Sequence, residues 1–358
     1  MRHSANLDIL RSLAVSVVLV DHLLLTLHFH QGLSHKTFID EYVFNLSQAG
    51  VLAFFVHTSV VLMYSLERMT RNPGRVALRF YVRRFFRIYP LSVFCIVLAI
   101  IFRIPADTWG DANIVTIRTV FSNILLMQNL FWGKNILAPL WSLPYEVQMY
   151  LVLPALYLLT LRRRAVVYLS GLYLFFAFVL FLYHWRLVGH IGVAEYVPCF
   201  LSGVLCYSLR DRIRTRVPAS LWPPLLLLLI LGYCLVGGSR GTGNFWVGWV
   251  FCLLLGLAIN FFHDSSQRHV NLAAERIALY SYGVYLIHIP FLYLVFVVFG
   301  ITNPVFGSLL FIVLTMLGSA TTYYLIESPL IELGRKLSSS PFKAASENTS
   351  SATATDVA

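Results

Sequence analysis

Four ionisable residues, Asp8, Arg11, Asp21 and His22, interrupt the first apolar stretch of the chain. At about 100° per residue, Asp8, Arg11 and His22 fall within about 60° of one another on a helix, and Asp21 faces elsewhere. Asp8 and Arg11 are three residues apart, the spacing of a side-chain pair, and His22 follows about 16 Å further along the same stripe. Charged groups in apolar surroundings are costly, and a stripe this extensive points to chemistry more than to packing. The chemistry on offer is acid–base: an imidazole takes a proton, and a guanidinium holds an anion or offsets charge as it develops.

A further acid, Glu146, lies in another apolar run, five residues after Trp141. With Trp141 at the outer interface, Glu146 lies at about the depth of His22, where a carboxylate can orient a base. Equal depth is what the arithmetic gives; it does not give contact. His57 and His288 also fall in apolar runs, and each alone reads as a structural hydrogen-bonding residue. A third signal is basic. Arg83 and Arg87 are four apart and Arg84 and Arg87 three apart, so these residues cluster, behind Arg79, on one helix. Guanidinium forks of this kind suit a phosphate-rich ligand. Attraction to anionic lipid heads, or the excess of basic residues on the cytoplasmic side of membrane proteins, explains them equally well.

The elements that must position these groups are transmembrane helices. The chain has 358 residues, 58% hydrophobic and 12% charged, against about 25% charged in a soluble domain. Continuous, non-alternating apolar runs of about 20 residues recur along it, each long enough for a hydrocarbon core of about 30 Å. The expected class is an all-α transmembrane bundle of about ten helices: Leu7–His28, Ser47–Leu66, Ile88–Phe102, Trp141–Leu161, Val166–Trp185, Ile191–Leu209, Leu221–Val236, Phe245–Phe262, Ile277–Phe299 and Pro304–Ile326. Residues 1–337 form the membrane domain. The Ser-, Ala- and Thr-rich stretch 338–358 lacks apolar residues to bury and is expected to be a disordered cytoplasmic tail.

With both termini in the cytoplasm, twenty of the 27 Lys and Arg residues lie inside and six outside, with Arg11 in the first span. This bias accounts for the net charge of +11 without nucleic acid. The first span carries Asp8 and Arg11 and no small-residue cleavage site, so it reads as a retained helix. The five cysteines fall in predicted spans, are odd in number and form no CxxC, which favours small core residues over a disulfide or metal site. Together the residues describe a polyphosphate-binding inner mouth and an acid–base pair deeper in the membrane. That is a device for moving a group from the cytoplasm to an acceptor nearer the outside.

The segments now identified resemble the acyltransferase-3 family of bacterial membrane proteins. The stretch from Leu7 to Ala14, with His22 after ten residues intervening from Arg11, is similar to its Arg-x10-His signature. The run from Phe80 to Pro90 is similar to its basic third-helix entry, and Trp141-Ser142-Leu143-Pro144-Tyr145-Glu146 with Tyr150 to its Trp-Ser-Leu-x-x-Glu-x-x-x-Tyr segment. Phe200–Gly203, Ser281–Pro290 and Ile326-Glu327-Ser328-Pro329 extend the match to about residue 330. Two departures stand out. Ser12 replaces the usual Gly, and the second-helix segment Gly50–Ser59 lacks the usual acid and final Gly and carries His57.

The resemblance implies an acyl-CoA-dependent O-acyltransferase of the bacterial inner membrane, with a carbohydrate hydroxyl as acceptor and acetyl as the expected group. It implies acyl-CoA as a co-substrate, no permanently bound cofactor and no metal, with membrane lipids as the remaining partners. His22 would be the base, Glu146 would orient it or hold the acceptor, and Arg11 would grip the CoA arm or stabilise charge. Arg83, Arg84 and Arg87 would dock the CoA phosphates, and Asp8, Trp141, Tyr150 and His288 are assigned to substrate binding. The alternative from another class is an exporter of a glycan or lipid-linked intermediate, which needs a polar path but no proton-abstracting His.

Overall fold

A computed structural model describes residues 4–30, 45–70, 76–106, 115–131, 133–186, 192–213, 216–237 and 245–339. The expected tail lies outside the described residues apart from its first two positions. The helices are α1 Ala5–His30, α2 Asn45–Thr70, α3 Val76–Ile101, α4 Ile117–Ile124, α5 Leu143–Thr160 and α6 Ala165–Arg186, followed by α7 Val197–Leu209, α8 Trp222–Val236, α9 Phe245–Ile259, α10 Arg268–Leu292, α11 Pro304–Thr322 and α12 Ser328–Ser339. Wider π-helical turns prolong α10 over Tyr293–Val298 and join α11 to α12 over Tyr323–Glu327.

Each of the ten expected spans finds a helix. Among the described residues, seven helical stretches are long and apolar enough to cross a membrane, while α7 and α9 are shorter apolar helices and α5 carries Glu146 in its first turn. The largest shift is in α3, which begins at Val76 rather than Ile88. Arginine is a good helix former, so the basic run continues the span instead of preceding it. Leucines, valines and phenylalanines remain exposed along α6, α8 and α11, the apolar surface expected where lipid replaces water.

The centre of the bundle is α1, packed between α2 and α10. Small residues permit this where helices meet in lipid. A side chain at Gly50 would collide with the Ala14 carbonyl, and one at Gly203 with the Val56 carbonyl. These two approaches seat α2 against α1 and α7, and so aim the segment around His57 inward. Arg11 meets Ser281 and His22 meets His288, so α1 and α10 run parallel.

The stretch before α5 is not a plain loop. Asn123 donates to the Thr119 and Lys134 carbonyls at 2.8 Å and accepts from the Ile136 amide at 3.1 Å. Gln128 donates to the Leu140 carbonyl at 2.9 Å, and Asn129 pairs with Gln148 at 3.1 and 2.9 Å. Leu126, Leu137 and Leu140 are fully buried. The segment is therefore knotted by amide side chains, which satisfy the backbone groups of irregular chain inside the protein, and it delivers the start of α5 into the bundle.

Candidate active site

A cavity of about 100 Å³ lies between α1, α2, α3, α5 and α10. Arg11 enters it from α1, its Nε donating to Ser281 Oγ at 2.6 Å. Glu146 enters from the first turn of α5. Its Oε1 accepts a 2.5 Å bond from the Tyr150 hydroxyl one turn on, and a 3.5 Å contact from Thr58 Oγ1. Arg11, Arg84 and Arg87 all act electrostatically on Glu146. Arg87 Nη1 also pairs with Glu327 Oε2 at 2.9 Å, its guanidinium 5.5 Å from the centre of the Tyr282 ring. Three guanidinium groups thus face two carboxylates, an excess of positive charge within the protein. Arg84 Nε and Glu327 Oε1 are buried without a hydrogen-bond partner. The arrangement is built to hold an anion or an anionic leaving group.

A larger cavity, about 410 Å³, adjoins it toward the end of the bundle where Arg68, Arg210 and Arg216 cluster, here called the basic end. The two cavities share Arg11, His57 and Val61 as walls. Asp8 lines the larger one, which is otherwise framed by α2, α7 and the stretch around Asn260.

Away from the basic end, His22 and His288 stand ring to ring, centroids 4.9 Å apart. Neither lines the two cavities. His22 Nδ1 lies 2.9 Å from the Val18 carbonyl and His288 Nδ1 lies 3.2 Å from the Val284 carbonyl. A carbonyl only accepts, so in each ring Nδ1 carries the hydrogen. Nε2 of His288 is buried with no hydrogen-bond partner.

The expected level of Glu146 with His22 is not what the structure shows. The Ser142 hydroxyl bonds the Tyr285 hydroxyl at 2.8 Å, and Glu146 is one turn further toward the basic end. There it shares a cavity with Arg11 and Ser281. His288 is seven residues beyond Ser281, about 10 Å along α10. The expected depth is counted from Trp141, whose ring packs within the bundle. Trp141 is half-buried, 6.1 Å from the Tyr145 ring and 5.8 Å from Tyr196, behind the knotted segment.

The structure brings Arg11, Arg84, Arg87, Glu146 and Tyr150 together in one pocket and His288 against His22. Arg83 turns away: its Nε donates to Ser338 on α12 at 2.9 Å. Asp8 and Trp141 flank the pocket without entering it. Sequence reading passed over Ser281 and Glu327, though both lie in motifs carrying the family resemblance. Their isolation as polar groups in apolar runs was the available signal. His57, read as structural, is buried and walls both cavities.

Fold and site define a polytopic helical membrane protein with a charged pocket in its interior and an imidazole pair beyond it. A family profile described as an acyltransferase domain matches residues 4–324, and the chain belongs to the acyltransferase-3 family. It is a membrane acyltransferase. Comparison with curated proteins and with solved structures finds no match.

Proposed function

We propose that this acyltransferase moves a short acyl group, acetyl, from cytoplasmic acyl-CoA to a hydroxyl of a carbohydrate, a cell-surface or exported glycan, across the bacterial inner membrane. The observation that carries the reading is the pairing of an anion-holding pocket with an imidazole pair, His22 and His288, behind its Tyr285 wall. The pocket sits on the side from which a cytoplasmic donor arrives. Its volume of about 100 Å³ is below the roughly 150 Å³ that accommodates benzene, which favours a small acyl group.

The thioester reaches the outer wall of the pocket, formed by Ser142 and Tyr285. His288 packs behind Tyr285, ring centroids 6.3 Å apart, with His22 next to it. The acceptor hydroxyl gives its proton to His22 Nε2 as its oxygen attacks the thioester carbonyl carbon. The carbon–sulfur bond breaks, and the thiolate withdraws into the field of Arg11 and Arg84, which offsets its charge. The imidazolium then releases the proton to the departing thiolate or to water. Glu146 holds the arginines in place through opposite charge and through Tyr150.

The test is transfer of labelled acetyl from acetyl-CoA by the purified protein, together with mass spectrometry of surface glycans from cells with and without it. Labelled product and an acetyl-dependent mass loss are expected. Unchanged glycans and no turnover of acetyl-CoA would reject the reading.

A further inference from the structure

We infer that the larger cavity at the basic end receives the phosphate-bearing end of the donor, with Arg68 and Arg216 as its phosphate-binding residues. This rests on the acyl-CoA reading above and moves the phosphates away from the α3 arginines.

Those arginines are already committed. Arg87 is paired with Glu327 and Arg83 bonds Ser338, while Arg84 is buried against Tyr150 and Glu146 in the small pocket. Arg210, on the wall of the larger cavity, is likewise held by Glu67 at 3.2 Å and Asp211 at 3.4 Å. Arg68 and Arg216 differ. Both are exposed and line the same cavity, and among the described residues neither side chain has an ion pair or hydrogen bond. Two uncommitted guanidinium forks facing one space are what a diphosphate or a ribose phosphate requires.

Reach agrees with charge. His57 and Val61 form the neck between the cavities, and Arg68 lies eleven residues along α2 from His57, about 16 Å of helix. An extended pantetheine arm is of that length. It would run from phosphates at Arg68 and Arg216, past the neck, and into the small pocket. The volume of about 410 Å³ falls in the range of about 300–1,000 Å³ of small-molecule sites, and the Tyr64 ring gives an adenine a face to stack on.

Anionic lipid heads offer the same phosphate chemistry, so the experiment must separate the two sources. CoA binding to the full-length protein in detergent is measured by calorimetry for wild type, R68Q/R216Q, and R163Q/R164Q, a control that removes the same charge from exposed arginines outside the cavity. R68Q/R216Q is expected to bind CoA about a hundredfold more weakly, roughly tenfold per phosphate contact. Its KM for acyl-CoA should rise while kcat changes little, and the control should match wild type. Val61→Trp, which narrows the neck, should keep 3′,5′-ADP binding and lose acyl transfer.

Wild-type CoA affinity in R68Q/R216Q would overturn this site and leave the proposed function standing, as would loss of co-purified phosphatidylglycerol with CoA affinity intact. No CoA binding by the wild type would remove both. A cysteine at Ile259, on the cavity wall, reads the site without touching the arginines. Saturating CoA should slow its maleimide labelling, and labelling unaffected by CoA would overturn the assignment even if R68Q/R216Q does not fold.

Discussion

Around Glu146, three arginines crowd two carboxylates and nearly every polar side chain has a charged or hydroxyl neighbour. About 10 Å away along α10, His22 and His288 face each other as two rings, each tied through Nδ1 to a carbonyl of its own helix. The first region lowers the cost of buried charge by surrounding it with opposite charge and fixed donors. The second fixes each ring's tautomer through a backbone carbonyl. One is suited to holding an anion and the other to moving a proton. A transfer reaction that starts with an anionic donor and ends with deprotonation of a hydroxyl needs both, and separating them keeps the arginines from repelling the imidazolium that forms.

The largest effect should come from the proton-moving half. His22→Ala is expected to insert and fold normally yet lose transfer by about 10²–10⁴-fold. Turnover of acetyl-CoA by purified variant at matched expression measures this, and wild-type turnover would end the division of labour. His288→Gln, which alters the partner ring only, should have a smaller effect on the same assay.

Next is the independence of the two regions. Glu146→Gln removes a carboxylate from among three arginines and should also impair transfer strongly. Because Glu146 lies with Arg11 rather than with His22, the free-energy losses of His22→Ala and Glu146→Gln should add in the double variant. A double variant no worse than the worse single one would mean that the two regions act as a single unit.

The third test concerns stability. Breaking the Arg87–Glu327 pair with Glu327→Gln leaves a guanidinium opposite an uncharged amide in the interior, at a cost of about 3–5 kcal/mol. Arg87→Met with Glu327→Leu should recover much of this, since both charges leave together. Thermal unfolding in detergent compares them, and equal melting temperatures for Glu327→Gln and wild type would show that the pair adds nothing to the charged region. The smallest effect is expected from Ser281→Ala. It removes one hydrogen bond to Arg11, worth about 1 kcal/mol, and should change turnover only several-fold.

Much of the fold was legible because each apolar run is its own signal. A stretch of about 20 residues without charge has few alternatives to a spanning helix, and all ten runs became helices. The start of α3 was misplaced because arginine is both a helix former and a marker of membrane edges, and the pattern does not say which role it takes. The stripe of Arg11 and His22 was legible from helical period alone, and the structure adds which neighbours it meets. The knot of Asn123, Gln128 and Asn129 was not legible, since amide side chains in a polar stretch read as loop. The level of Glu146 with His22 rests on depth counted from Trp141, and the sequence does not show how that ring packs.

By itself the sequence determined that this is a helical membrane protein with ionisable groups along one face of its first span, since period and composition are local properties that no packing overrides. Which arginine is free to bind, and which is already paired, only the tertiary structure decided. Arg83, Arg87 and Arg68 are alike in type and setting along the chain. They differ in what the bundle brings to them: Ser338 for the first, Glu327 for the second and an open cavity for the third. Partners 240 and 255 residues away in sequence leave no trace in a local pattern, because the contact depends on how whole helices cross and not on the residues beside the arginine.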